Sequence, residues 1–188
     1  MHPTSMETMK QFVEEYDLEE ARVVDIGSLD INGSYRDLFT GDYIGVDLAP
    51  GKNVDVIMDS PEWDALKDVD AVISGQTMEH VADGPKLMKS MFDVLKPGGI
   101  LCVIAPSAGP PHEHPIWVGV FGIPRMTDLV SGAGFDVIRC DINPDGEWHD
   151  CCCVARKPEV VMTLNGIPIK GSGSFKMGEG KEGWNEAE

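Results

Sequence analysis

Acidic and imidazole side chains stand at the ends of apolar runs in this chain, where an α/β sheet would present them to a ligand. Val23-Val24-Asp25-Ile26 leads into Gly27-Ser28, an apolar run with an acid near its end and a glycine where the chain must turn. A second run, Tyr43-Ile44-Gly45-Val46, ends in Asp47 and Leu48. A carboxylate about 20 residues after the first turn of a βαβ unit lies on the edge of a ribose. The two acids therefore point to a nucleoside-containing cofactor. The histidines suggest proton transfer. His80 follows the apolar run 71–74, and His112 and His114 follow the run 100–105. An imidazole titrates near neutrality, so each is a candidate general base for a poorly nucleophilic acceptor. His112 and His114 flank Glu113 and have the donor chemistry of metal ligands, but no third ligand stands at useful spacing, so no metal is expected.

Such groups need a sheet to hold them. Strands are expected at 22–26, 43–47, 54–58, 71–74 and 100–105, separated by helical or turn-forming segments. Met9, Phe12, Val13 and Tyr16 repeat at helical spacing ahead of the first strand. Leu87, Met91 and Leu95, with Met88 and Phe92 beside them, make the stripe of a stronger helix. Lys96-Pro97-Gly98-Gly99 is placed to stop it. A shorter helix from Pro124 carries Met126, Leu129 and Val130. Runs 135–140 and 150–155 are joined by Asn143-Pro144-Asp145-Gly146, which predicts an antiparallel pair on a sheet otherwise parallel by its crossovers. The expected fold is α/β, a Rossmann-like, doubly wound and mostly parallel sheet of about seven strands with an antiparallel C-terminal pair.

Composition narrows the partners. A chain of 188 residues predicts one domain with a sizeable core, and 42% hydrophobic with 25% charged residues is ordinary for a soluble protein. No apolar run reaches the ~20 residues of a membrane span, and the N-terminus lacks a signal-peptide core, so a cytoplasmic protein without a membrane partner is expected. The net charge of −17 would repel a polyphosphate backbone and disfavours nucleic acid. Cys151, Cys152 and Cys153 are consecutive, so a strand would point them to opposite faces as small buried hydrophobes. The domain is expected to fill 1–158. Within 159–188, the runs 160–164 and 167–169 can pair about Asn165-Gly166, followed by a flexible glycine-rich tail.

Taken in order, these motifs resemble the class I S-adenosylmethionine-dependent methyltransferases, in their small, single-domain, type 11-like form. Asp25-Ile26-Gly27 matches the acid-x-glycine strand end, and Asp47 the acid that holds ribose hydroxyls. Asp59-Ser60 matches the acidic position near the adenine amino group. Ser74-Gly75-Gln76, with Glu79-His80-Val81 after it, matches the fourth-strand segment, and Leu95-Lys96-Pro97-Gly98-Gly99 the signature before the fifth strand. The resemblance covers about 23–157. It implies an enzyme that uses S-adenosyl-L-methionine, with Asp25, Gly27, Ser28, Gly33, Asp47, Leu48, Asp59, Ser60, Gly75 and Gln76 around the cofactor.

The first loop departs from the family. Leu29 stands where a second glycine is common, so the loop is expected to close through Asn32-Gly33 before Tyr35 and Arg36 begin a helix. Ser28 or Ser34 is then placed to reach the methionine carboxylate. The fourth strand lacks the Asn/Asp-Pro-Pro-Tyr element used on exocyclic amines, which again argues against DNA. A small-molecule or exposed oxygen or nitrogen acceptor is expected, met by the loop 107–115 with Trp117 as an aromatic wall. Two readings stand beside this one: a non-catalytic partner or regulatory subunit that binds the cofactor, and an enzyme using the same pocket for other sulfonium chemistry.

Overall fold

Strands that are apolar on both faces must be covered on both faces. β1 (Val23–Ile26) is buried along its whole length, and β4 (Val69–Gly75) and β5 (Leu95–Pro106) nearly so. The computed structural model describes residues 2–112, 116–159, 162–164 and 167–169. In it β2 (Tyr43–Asp47), β3 (Val56–Ile57), β6 (Asp136–Ile142) and β7 (Asp150–Arg156) complete one sheet in the order β3-β2-β1-β4-β5-β7-β6. The first five strands run parallel, and β7 lies antiparallel between β5 and β6. The order reverses at β1 and β4, so their carboxyl ends open a crevice.

Helix α1 (Pro3–Glu15) buries Met9, Phe12 and Val13 against one face, with Ala71, Ile73, Ile100 and Ile104. On the other face α2 (Pro61–Ala65), α3 (Gly84–Val94) and α4 (Ile123–Gly132) cover Val24, Ile26, Val72 and Leu101 with Trp63, Met88, Met91 and Met126. The cysteine triplet behaves as its period requires: Cys151 and Cys153 join the second cluster and Cys152 the first, and all are free thiols. Among the described residues no helix is long and apolar enough to cross a membrane.

Several local expectations are corrected. No α-helix follows the first loop; Arg36–Leu38 makes a single 3-10 turn. Thr40 and Gly41 donate their N–H groups to Glu19 O at once, and a Cβ on Gly41 would lie 2.4 Å from the Glu20 backbone. That docking ends the segment before a second helical turn can form. Tyr35 and Phe39 still plug the α1 face. The strong helix ends at Val94, and Leu95 already belongs to β5. Lys96–Gly99 is a bulge inside that strand, with Val69 opposite Leu95 and Ala71 opposite Ile100. Strands β8 (Met162–Leu164) and β9 (Ile167–Ile169) pair antiparallel, Leu164 opposite Ile167. The expected Asn-Gly turn and the tail lie outside the described residues.

Candidate cofactor and acceptor site

At the end of β2, Asp47 is held by two backbone N–H groups. One carboxylate oxygen accepts the Leu29 N–H at 3.0 Å and the other the Leu48 N–H at 2.7 Å. Each oxygen retains a lone pair, so two fixed acceptors remain for hydroxyl groups. Leu48, next to Asp47, is 70% exposed, and Ile31 in the loop after β1 is 81% exposed. A diol with an attached flat apolar ring fits that set: two acceptors for the diol, and an aliphatic face for the ring.

The loop after β1 is stiffened without the family's glycine spacing. Gly27 adopts φ +82° and donates its N–H to Val46 O. Ser28 Oγ donates to Asn53 O at 3.1 Å, and Asn53 Nδ2 donates back to Ser28 O at 2.9 Å. Arg36 reaches the same loop through Asn53 and Asp55. Ser28 is buried and gives its one hydroxyl proton to Asn53 O. Ser34 Oγ accepts the Arg36 N–H. Gly33, at φ +130°, donates its N–H to Asp30 in a local turn.

Asp25 lies below this loop. It is buried and accepts the Tyr43 hydroxyl. Burial pushes its carboxyl up to about 7, with the Asp47 charge adding and the Tyr43 hydroxyl and Arg36 opposing. Asp59 sits at φ +62° and is exposed at the end of β3, and Ser60 Oγ caps α2 by accepting the Trp63 N–H at 3.2 Å.

At the end of β4 the packing is closer. A Cβ on Gly75 would lie 2.1 Å from the Tyr35 hydroxyl, and one on Gly27 2.0 Å from Thr77 Oγ1. Gly27→Ala combines that clash with a left-handed backbone, and we expect it to cost about 2 kcal/mol in urea unfolding. Adding Thr77→Ala is expected to recover part of the loss; an unchanged loss in the double variant would assign it to the backbone alone. Gln76, at φ +57°, donates Nε2 to Asp150 Oδ1 at 2.9 Å, while its Oε1 is buried without a partner among the described residues.

A cluster of histidine and tryptophan rings lies across β4. His80 ends the 3-10 turn Met78–His80, and its Nδ1 sits 2.6 Å from Ile116 O. A carbonyl only accepts, so in the neutral ring Nδ1 carries the proton and Nε2 keeps its lone pair. His112 packs edge-on to His80 at 4.9 Å, with Trp117 4.6 Å and Trp148 5.2 Å from its ring. Trp148 comes from the β6–β7 connection, and Ser107 and Ala108 donate their N–H groups to its carbonyl. Gly109 lets the loop lie flat on the indole, where a Cβ would come within 2.3 Å. His2 stacks on the same indole at 4.9 Å. Buried Asp150 anchors the assembly, accepting from His2, Thr4 and Gln76. Burial pushes its carboxyl up, but those hydrogen bonds outweigh it and hold it below the usual range. Glu79, only 1% exposed, lies against His80, with Oε1 3.8 Å from Nε2.

The structure thus brings His80 and His112 together. His114 lies outside the described residues. Glu79 and Trp148 were not singled out as site residues from the sequence: no local pattern links either to His112, and only the sheet edge does. A shallow cleft of about 410 Å³, bounded by Tyr16, Asp70, Lys96 and Arg156, is lined by none of these groups.

Residues 4–139 match the sequence profile of the methyltransferase domain family. No curated protein matches the chain in sequence. Among solved structures, the 1,6-didemethyltoxoflavin-N1-methyltransferase of Burkholderia thailandensis, determined with 1,6-didemethyltoxoflavin and S-adenosylhomocysteine, superposes with a TM-score of 0.65 at 17% identity, over 82% of this chain and 78% of that one. An S-adenosylmethionine-dependent methyltransferase of Aquifex aeolicus gives 0.58 at 17% identity, over 83% and 98%. The cyclase SpnF also gives 0.58, at 14% identity over 80% of each chain. At such identities the likeness is one of fold, and the cyclase shows that the fold serves more than one chemistry. The profile match over most of the chain, on a sheet of this strand order, is what decides the family: the chain belongs to the methyltransferase domain family and is a class I S-adenosylmethionine-dependent methyltransferase.

Proposed function

We propose that the chain methylates an oxygen or nitrogen of a small molecule held between the His80–His112 pair and the Trp117 and Trp148 rings. The observation that carries this is the division of one sheet edge. An acid with two oriented acceptor oxygens lies at the end of β2, and a cluster of histidine and tryptophan rings lies across β4. Asp47 would hold the ribose hydroxyls, Leu48 would cover the adenine, and the orphaned Gln76 Oε1 offers an acceptor to the same cofactor.

S-adenosylmethionine, when bound, supplies an electrophilic methyl carbon on a positively charged sulfur. The protein's task is then alignment and exclusion of water. Trp117 would set the plane of an acceptor, Trp148 would hold His112 in place, and His80 Nε2 can take the proton that a neutral hydroxyl or amine must lose. A small acceptor also suits the net charge of −17, which would repel a nucleic acid.

Formation of S-adenosylhomocysteine with a panel of small aromatic hydroxyl and amino compounds tests the proposal. His80→Ala and Trp117→Ala are expected to lower turnover at least 10-fold while cofactor affinity changes less than threefold. Equal losses of cofactor affinity and turnover in both variants would overturn this division of the edge.

A further inference from the structure

Glu79, His80 and His112 bring three metal-ligating atoms within 4.8 Å of one another. Three further observations give that cluster direction. Glu79 is almost wholly buried, yet its Oε2 has no hydrogen-bond partner among the described residues. A buried carboxylate oxygen left bare is costly, and a cation beside it removes the cost. His80 donates Nδ1–H to Ile116 O, so Nε2, the nitrogen on the Glu79 side, is the one with the lone pair. His112 Nδ1 makes a longer contact, 3.4 Å, with Pro110 O, which favours the same tautomer. Tethering one imidazole nitrogen to a carbonyl is how proteins orient a metal-ligating histidine.

We propose that Glu79, His80 and His112 bind a divalent first-row transition cation. Two imidazoles and one carboxylate suit zinc, cobalt, iron or manganese better than the all-oxygen preference of calcium or magnesium. Bonds of about 2.1 Å place tetrahedral ligand atoms roughly 3.4 Å apart, so the present cluster must contract modestly. His112 supplies that movement, because it sits in a surface loop, whereas Glu79 and His80 are fixed on a short 3-10 turn. Three protein ligands leave a coordination position open, where an oxygen donor could bind. The lone pair that takes a proton in the metal-free protein is then a ligand. The cation site stands on its own donor geometry and does not depend on methyl transfer.

The test is titration of the full-length, tag-free and chelator-stripped protein with Co²⁺ alone, read by visible absorption of the bound ion and by calorimetry. One ion per chain is expected, with a dissociation constant in the micromolar range, and Glu79→Gln and His112→Ala should each weaken it at least 10-fold. Absence of binding, or binding unchanged in both variants, overturns the proposal. Should Glu79→Gln fail to fold, His112→Ala decides the matter, since its side chain lies in a surface loop. A parallel titration with S-adenosylhomocysteine separates this proposal from the methyltransferase reading. Cobalt binding without nucleoside binding would sink the latter alone, and the reverse result would sink only the cation site.

Discussion

Asp47→Ala is expected to weaken S-adenosylmethionine binding about 100-fold in a calorimetric titration. The carboxylate acts twice. It holds the Leu29 and Leu48 N–H groups at 3.0 and 2.7 Å, and in the proposed site a remaining lone pair on each oxygen would accept a ribose hydroxyl. Charge-assisted hydrogen bonds of this kind contribute about 1.5–3 kcal/mol, and release of the Leu29 backbone loosens the loop that borders the cofactor. Asp47→Asn retains one acceptor oxygen, so an intermediate loss is expected. Thermal unfolding separates a lost ligand contact from a lost fold. A change of less than threefold for Asp47→Ala in a folded protein would remove Asp47 from the cofactor site.

Asp25→Asn is expected to stabilise the protein at pH 8 by up to roughly 4 kcal/mol and to flatten its pH dependence. The Asp25 carboxyl is pushed from 3.8 to about 7 in the folded chain, chiefly by burial. Between those values the native state keeps a proton that the unfolded state has released. Stability from this group is therefore fully present below about pH 4 and falls as pH rises toward 7. Above that it is lost, because the native state must then hold a buried charge. Asparagine removes the ionisation and still accepts the Tyr43 hydroxyl. Glu79, raised to about 7 chiefly by burial, adds a slope of the same sign in the metal-free protein. Urea unfolding at pH 5 and pH 8 measures the difference. Equal slopes for the wild type and Asp25→Asn would show that Asp25 ionises as freely in the folded chain as in the unfolded one.

Much of the sheet could be read directly, and the reason is burial. Strands covered on both faces are continuous apolar runs, so 71–74 and 100–105 stand out, although the strands extend over Val69–Gly75 and Leu95–Pro106. The triplet Cys151–Cys153 was legible because a period of two leaves no other way to bury three small residues in a row. The segment at Tyr35 departs from its expected helix for a different reason. Its local residues tolerate a helix, but the Glu19 carbonyl captures the N–H groups of Thr40 and Gly41, and that partner lies outside any local window. The bulge at Lys96–Gly99 shows the same limit: proline and glycines announce a break, not whether the chain turns or stays in register.

The fold class, Asp47 at a strand end and His80 and His112 in segments on one sheet edge are all legible in the residue pattern. Those follow from hydrophobic period and strand-loop order, which are local. Folding in three dimensions adds what local pattern does not carry: Ser28 is locked to Asn53, Trp148 meets His112, and Glu79 lies with the two imidazoles with one oxygen bare. Each of these joins residues from different crossovers of the sheet. Their meeting depends on strand order, register and the docking of the loop after β5 on the β6–β7 connection, and no spacing along the chain encodes it.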